Sequence, residues 1–304
     1  RAAGEASAAL TDAALGRLLD LAAGRLGAPP CRFAWLALGS WGRREPLVRT
    51  DLEYALLLES GDPAARDWFL RLPGEVADGP GRRGFLPDAA ELSPHHADWC
   101  APLPEWQARF RGWMREPVRR NVRWSTTFFD LRPAAGDLGL AEALQEEIRR
   151  GLTDHPPYLS FLAKDGVETP SPLGPFGRLA VAWRGEHRGE MDLKERLLLP
   201  LVDAGRVLAL QHRRVEVTGT VDRLLGAALL EPDRAGLLVR AAEDFGWALG
   251  LQAREAARRG DGGRWLRPGD LSGDDRARLR AAGATLARLQ ALLRVRFETD
   301  WLRW

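Results

Sequence analysis

Cysteine, methionine, tyrosine and lysine are all scarce in this chain, with 2 residues of each type among 304. The two cysteines, Cys31 and Cys100, are too few for the disulfide framework of a small secreted domain, so the sequence predicts a protein of the reducing cytoplasm. Long apolar runs are also missing, because no stretch approaches the roughly 18–20 uncharged residues of a membrane-spanning helix. The alanine-rich start carries Glu5 and Asp12 and has no signal-peptide pattern. Neither a membrane span nor a secretory signal is therefore predicted.

An excess of charge of one sign is absent as well. The chain has 44 basic and 42 acidic residues, which gives a formal net charge of +2. So close a balance provides no overall field that would track a phosphate backbone, and a nucleic-acid partner is therefore not predicted. The length is typical of about two domains, each large enough to bury its own core.

The first half of the sequence alternates short apolar runs with segments of helical periodicity. The run 33–38 ends at Gly39 and predicts a buried strand, and the run 52–58 predicts a second strand after a polar turn at 40–50. The further predicted elements are helices at 8–26, 62–72 and 103–115 and a third strand at 124–131.

Long segments rich in leucine, alanine and arginine dominate beyond residue 138. Their periodicity predicts helices, with Asp233 and Ser272 as caps. The predicted helices are 192–211, 220–230, 233–259 and 272–297. We therefore predict an α+β protein with a mixed-sheet domain at residues 1–152 and a helical bundle at residues 153–304.

Two acidic residues stand out at the predicted start of the second strand. Asp51 and Glu53 lie two residues apart, so both side chains point to the same face of that strand. Carboxylates are the oxygen ligands that Mg²⁺ commonly uses together with substrate phosphates. The alternative is a polar hairpin whose acidic side chains are solvated, and the spacing alone leaves both interpretations open.

The end of the preceding strand carries residue types that suit a phosphate group. Gly39 and Ser40 form a turn where backbone N–H groups and a hydroxyl could hold a terminal phosphate. Arg43 and Arg44 would add charge-assisted hydrogen bonds to the same group. This arrangement is suited to phosphoryl or nucleotidyl transfer.

Segment 39–53 reads Gly-Ser-x-Gly-Arg-x-Glu followed by Thr-Asp-x-Glu. This pattern resembles the signature of the nucleotidyltransferase fold superfamily, and more specifically that of a bacterial nucleotidyltransferase family related to protein-PII uridylyltransferase. Members of that family are often fused to CBS and cyclic-nucleotide-binding domains. The likeness covers almost the whole chain and continues at 99–103, 128–132, 191–194, 204–210 and 220–224.

The resemblance implies a polymerase-beta-like nucleotidyltransferase domain followed by an all-α substrate-binding domain. It implies that Asp51 and Glu53 bind Mg²⁺ or Mn²⁺ and that Gly39 and Ser40 hold the nucleotide phosphates. Asp130 would be the third carboxylate, either a metal ligand or the base that deprotonates the attacking hydroxyl. Three basic residues of the helical half are candidates for facing the cleft between the domains: Lys194, Arg206 and Arg223.

The implied activity is a Mg²⁺-dependent transfer of a nucleoside monophosphate from an NTP to a hydroxyl of a small molecule or of a protein. A regulatory protein is the acceptor that the family relation favours, and nucleic acid and membranes are not expected as partners. Because the sequence begins with Arg1 and not with Met, we expect it to be part of a longer protein with sensor domains before it.

Two departures from the family pattern leave other functions open. Glu53 stands where the family usually has aspartate, and segment 86–90 lacks the glycines expected before the tryptophan-rich helix. A regulatory module that keeps the fold and nucleotide binding with little catalysis is therefore the second hypothesis, and a structural helical adaptor is the third. Without the resemblance, Asp130 reads better as a cap at the end of a strand than as a catalytic group.

Overall fold

The computed structural model describes residues 2–47, 52–77 and 97–304, which form two compact units. One unit is Ala2–His155, which combines helices with a four-stranded sheet, and the other is Pro156–Trp304, which is mainly helical. This architecture confirms the predicted α+β fold class. None of the helices in the described ranges is both long enough and apolar enough to cross a membrane.

Four strands of the N-terminal unit form a mixed sheet in the order β3-β2-β1-β4, where β2 and β3 are parallel and the other pairs are antiparallel. The strands are β1 (Phe33–Ala37), β2 (Tyr54–Leu58), β3 (Cys100–Pro102) and β4 (Arg132–Gly136). The helices of this unit are α1 (Ala2–Leu26), α2 (Gly39–Gly42), α3 (Pro63–Ala77), α4 (Leu103–Arg115), α5 (Arg119–Phe128) and α6 (Leu138–Asp154).

The central strands β1 and β2 are apolar at nearly every position because helices cover the sheet. Trp35 and Tyr54 lie in one core with side chains of α1 and α3, and their rings stack at 4.3 Å between centroids. Leu36 of β1 and Leu57 of β2 are also buried. Helices α4 and α6 contact these two strands as well. The two predicted buried strands are therefore confirmed, and they pair antiparallel.

The predicted third strand at 124–131 is wrong, since most of this segment belongs to helix α5. Val122, Ser125 and Phe128 are buried at three-residue spacing along one face of the helix, so packing decides its conformation. The hydroxyls of Ser125 and Thr126 both donate to the carbonyl oxygen of Val122 and are thus satisfied within the helix. Burial of one helical face outweighs the β-propensity of threonine and phenylalanine.

The strand that follows, β4, contains residues that argue against a strand in the sequence. Pro133 cannot donate a ladder hydrogen bond, and Gly136 weakens a strand interior. The order of the sheet places β4 at an edge, where a proline is tolerated. Asp130 therefore lies between a helix and an edge strand, and not within a strand as predicted.

The C-terminal unit is mainly helical, as predicted, although the predicted helix at 192–211 becomes α-helical only at Leu199 and the helix at 157–167 is not predicted by the sequence. Its helices are α7 (Pro157–Val167), α8 (Leu199–Gln211), α9 (Thr220–Leu230), α10 (Ala235–Arg259) and α11 (Gly273–Arg296). A short antiparallel ladder of β5 (Met191–Asp192) and β6 (Trp265–Leu266) accompanies them. Ser272 caps α11 by accepting from the N–H of Asp275, which confirms that cap, whereas the predicted cap Asp233 is wrong because it lies in a short turn before α10.

Burial of Cys100 at the start of β3 leads to a testable pH dependence. The side chain is fully buried, and this burial raises the pKa of the thiol from 9.0 to about 12. The thiol of the unfolded chain ionises near its ordinary pKa of 9.0, whereas the folded thiol is still protonated at that pH. The contribution of Cys100 to the unfolding free energy is therefore constant below pH 9.0. It then falls as the pH rises toward about 12.

We expect a thiol reagent at neutral pH to label the half-buried Cys31 in the native protein and to label Cys100 only after denaturant is added. Mass spectrometry of the labelled peptides distinguishes the two sites, and the Cys31→Ser variant isolates the second one. Rapid labelling of Cys100 in the native Cys31→Ser protein would contradict the buried placement of β3.

Candidate functional site

The chain leaves β1 through a helical turn, α2, where the sequence predicts an irregular polar turn. The N–H of Leu38 donates to the carbonyl oxygen of Glu53 at 2.9 Å, so the hairpin pairing continues one residue beyond β1 and β2. Gly39 then turns the chain with a φ of +52°, in the left-handed region that favours glycine. Gly39, the first residue of the turn that the sequence predicts to hold a phosphate, therefore lies directly beside Glu53.

The carboxylate of Glu53 packs against the α-carbon of Gly39. A Cβ atom built on Gly39 would lie 1.8 Å from Oε2 of Glu53, so any larger side chain collides with the carboxylate. Glu53 itself is half-buried. The structure thus brings together two of the residues that the sequence predicts for one site.

Gly42 is required at the other end of the same turn. A Cβ atom built on it would lie 2.0 Å from the carbonyl oxygen of Asp130 and 2.8 Å from that of Ala37. The absence of a side chain therefore lets the chain at Asp130 approach α2 closely. Sequence reasoning missed this role of Gly42, although the Gly-Ser-x-Gly pattern contains the signal for it.

Arg43 connects the turn to Asp130 through a buried ion pair. Its guanidinium contacts Oδ2 of Asp130 at 2.5 Å and Oε2 of Glu45 at 2.8 Å. The side chain of Asp130 is 0% exposed, and those of Arg43 and Glu45 are each 10% exposed. These two carboxylates would compete with a phosphate group for Arg43, and its predicted role in nucleotide binding stays a prediction.

A second polar contact joins the turn to helix α1. The carboxylate of Asp12 accepts from Nε1 of Trp41 at 2.9 Å and from both terminal nitrogens of Arg132 at 2.8 and 3.0 Å. Trp41 is fully buried and lies within α2, and Arg132 is the first residue of β4. Sequence reasoning missed Asp12 as a structural residue because no local pattern signals a contact over 120 residues.

The other predicted site residues of this unit have different environments. Ser40 is half-buried and its carbonyl oxygen accepts from the N–H of Glu45. Arg44 is exposed and has a φ of 60°. Asp51 and segment 86–90 lie outside the described residues.

The three basic residues predicted in the helical half are not alike. Lys194 is exposed. Arg206 is 3% exposed and pairs with Asp203 at 2.5 Å, and Arg223 is 1% exposed and donates from Nε to the carbonyl oxygen of Val217. All three remain predictions as site residues.

The carboxylates of the N-terminal unit differ in how well they fit a divalent metal. Glu53 presents a half-buried carboxylate beside the Gly39 turn, which suits an oxygen ligand. Asp130 fits poorly, because Arg43 already supplies a cation to its fully buried carboxylate. Within residues 2–47, 52–77 and 97–304, no group of three His, Cys, Asp or Glu side chains is placed to hold a metal ion. Of the two carboxylates predicted to bind the metal, Glu53 lies beside the turn and Asp51 lies outside the described residues.

The two units match two family models. The family described as "Putative nucleotidyltransferase DUF294" matches residues 1–120, which include the Gly39 turn and Glu53. The model described as "Putative nucleotidyltransferase substrate binding domain" matches residues 156–297 and so begins at the first residue of the helical unit. No curated protein matches the chain. The chain thus belongs to the family in which this nucleotidyltransferase domain is followed by this substrate-binding domain.

Proposed function

We propose that the N-terminal unit binds an NTP with Mg²⁺ and transfers the nucleoside monophosphate to a hydroxyl of a protein or a small molecule. The observation that carries this proposal is the contact between the Gly39 turn and the carboxylate of Glu53. A glycine-containing turn that could approach phosphate and an oxygen ligand for a cation are two features that a metal–nucleotide complex requires. Both belong to the segment matched by the nucleotidyltransferase family model.

The phosphates would be bound by Gly39 and Ser40. Gly39 turns the chain with a positive φ and is buried against the carboxylate of Glu53, so the phosphates would approach the turn from the side of the half-buried Ser40. The hydroxyl of Ser40 would donate a hydrogen bond to a phosphate oxygen. Arg44, which is exposed one turn later, would add a positive charge to the developing pyrophosphate.

Glu53 and Asp51 would hold the metal. Mg²⁺, or Mn²⁺ in its place, would supply charge neutralisation at the phosphates and help to align the reacting oxygens. The contribution of the chain itself is to fix the carboxylate of Glu53 against the phosphate-binding turn. The Leu38–Glu53 backbone hydrogen bond serves this purpose because it sets the position of Glu53 relative to the end of β1.

The transfer forms a bond between the acceptor oxygen and the α-phosphorus and breaks the bond from the α-phosphorus to the bridging oxygen, so pyrophosphate leaves with that oxygen and the proton of the hydroxyl passes to water. We propose that the helical unit binds the acceptor, since this is the unit matched by the substrate-binding model. By the family relation, a side-chain hydroxyl of a regulatory protein is the favoured acceptor class.

Calorimetric titration of ATP, GTP, CTP and UTP with MgCl₂ tests the binding part of the proposal. We expect one nucleotide to bind with micromolar affinity and to lose about 10- to 100-fold in the Glu53→Gln and Asp51→Asn variants, since each removes one anionic ligand. Glu59→Gln is the matched control, because Glu59 follows the other end of β2 and pairs with Arg32 on the surface. It should bind with the affinity of the wild type.

Two outcomes would contradict this proposal. Wild-type protein that binds none of the four nucleotides has no metal–nucleotide site. Equal affinities for the wild type and the Glu53→Gln variant would show that nucleotide binds elsewhere.

The burial of Asp130 favours a second function, a regulatory module that binds nucleotide without transferring it. If catalysis needs a third carboxylate as a metal ligand or a base, Asp130 does not supply it while its carboxylate is paired with Arg43. Incubation with an NTP labelled at the α-phosphate separates the two functions. Label that becomes attached to an acceptor supports the transferase, whereas binding without any transfer supports the module.

A further inference from the structure

Helix α1 contributes one carboxylate to the segments that build the candidate site. We propose that Asp12 is a positioning residue for nucleotide binding, which acts by holding the turn of α2 and the start of β4 in one arrangement. This inference rests on the proposed function, since it concerns the affinity of the same site.

The geometry around Asp12 is that of a junction between three elements. One carboxylate receives the indole N–H of Trp41 from α2 and a two-pronged guanidinium contact of Arg132 from β4. Arg132 also donates to the carbonyl oxygen of Trp41 at 3.4 Å, which closes a triangle of polar contacts. The side chains of Arg132 and Asp12 are only 11% and 23% exposed, so solvent screens the charge pair weakly.

The contacts of Asp12 with α2 and β4 differ in kind from the apolar contacts of α1 with the core. Buried residues such as Ala8, Leu15 and Ala22 join α1 to the core through apolar packing, which is not directional. Hydrogen bonds to an indole and a guanidinium have preferred distances and angles. Asp12 therefore determines the orientation of α2 in a way that the apolar contacts do not.

The position of Trp41 connects this junction to the site. Trp41 follows Ser40 directly and precedes Gly42, whose α-carbon packs against the carbonyl oxygen of Asp130. Movement of the indole would therefore move the phosphate-binding turn relative to Glu53. A displacement of about 1 Å in a binding site is enough to cost about 100-fold in function.

The test compares Asp12→Asn with a control from the same helix. Asp12→Asn keeps the size of the side chain and an acceptor oxygen but removes the charge that faces Arg132. We expect its affinity for the NTP with MgCl₂, measured by calorimetry, to fall about 10- to 100-fold. Leu15→Ala removes a fully buried apolar side chain one turn later in α1 and should lower the melting temperature at least as much, yet change the affinity less than about twofold.

Trp41→Phe keeps the test informative if Asp12→Asn does not fold, because it removes the indole N–H and keeps an aromatic ring. We expect it to weaken nucleotide binding by about 3- to 10-fold, which corresponds to the loss of one hydrogen bond. In the double variant, the two losses should not add, since both changes disrupt the same junction of Asp12, Trp41 and Arg132.

A spectroscopic readout detects the turn itself. In protein labelled with 5-fluorotryptophan, the ¹⁹F resonance of Trp41 is assigned by its disappearance in Trp41→Phe. We expect this resonance to shift when the NTP and MgCl₂ are added to the wild type. In nucleotide-free Asp12→Asn it should already be displaced or broadened, and in Leu15→Ala it should remain at the wild-type position.

The outcomes separate this inference from the function on which it rests. Wild-type protein that binds no nucleotide overturns the proposed function, and with it any role of Asp12 in binding. Wild-type binding that is retained unchanged in both Asp12→Asn and Trp41→Phe overturns the positioning role and leaves the proposed function intact. Equal losses of affinity in Asp12→Asn and Leu15→Ala would show that α1 acts only through general stability.

Discussion

Alanine at Gly42 is expected to destabilise the N-terminal unit by about 3 kcal/mol or more, because the added methyl group has no space to enter. It would lie 2.0 Å from the carbonyl oxygen of Asp130 and 2.8 Å from that of Ala37. Both atoms belong to the backbone, so neither can give way without moving the chain before β4 or the end of β1. Chemical denaturation, followed by circular dichroism, measures the loss.

Alanine at Gly39 is expected to have a different effect, although the added atom would come even closer to its neighbour. The clash is with Oε2 of Glu53, the end of a flexible side chain, and the backbone cost of a φ of +52° is about 1–2 kcal/mol. The unit should therefore remain folded, while the displaced carboxylate and the filled turn weaken nucleotide binding by at least about 100-fold.

Gly24→Ala is the matched control for both glycine variants. Gly24 lies in α1 and is exposed, and an added Cβ atom would have nothing within 4 Å. Alanine there should stabilise the helix by about 0.5–1 kcal/mol and leave nucleotide affinity unchanged. A Gly42→Ala protein as stable as the wild type would contradict the close packing of α2 on Asp130. Unchanged nucleotide affinity in Gly39→Ala would contradict the proposed phosphate-binding turn.

The elements that were predicted correctly are those defined by local patterns. The apolar runs of β1 and β2 signal buried strands, and the predicted helices at 103–115 and 220–230 have the bounds of α4 and α9. The neighbouring positions of Gly39 and Glu53 follow from the same hairpin, because antiparallel pairing brings the end of one strand to the start of the next.

The features that could not be predicted depend on contacts between distant segments. The segment 124–131 has the composition of a strand, and only its packing in the folded unit makes most of it a helix. The contact between Asp12 and Arg132 spans 120 residues and has no sequence signature. The burial of Asp130 under Arg43 likewise follows from how the chain before β4 meets α2. A carboxylate in a motif can therefore be recognised from sequence, but its partner cannot.

Removal of the Arg43 guanidinium is expected to cost about 3–5 kcal/mol of unfolding free energy, the loss typical of a broken buried ion pair. In Arg43→Met, the fully buried carboxylate of Asp130 and the nearly buried one of Glu45 both lose their contact with the same cation. Arg44→Met is the control, since Arg44 is the exposed neighbour and its loss should change stability by less than about 0.5 kcal/mol.

Arg43→Met, Asp130→Asn and their double variant distinguish the two roles considered for Asp130. If Asp130 holds the turn through Arg43, then Asp130→Asn also destabilises the unit, the two losses are not additive in the double variant, and MgCl₂ does not restore the stability of Arg43→Met. If Asp130 is instead a metal ligand, removal of the competing guanidinium should increase the stabilisation that Mg²⁺ produces. We expect the first result, because Oδ2 of Asp130 lies 2.5 Å from the guanidinium and its side chain has no exposed surface. Melting temperatures of Arg43→Met with and without MgCl₂ decide between them, and a rise specific to this variant would restore Asp130 as a metal ligand.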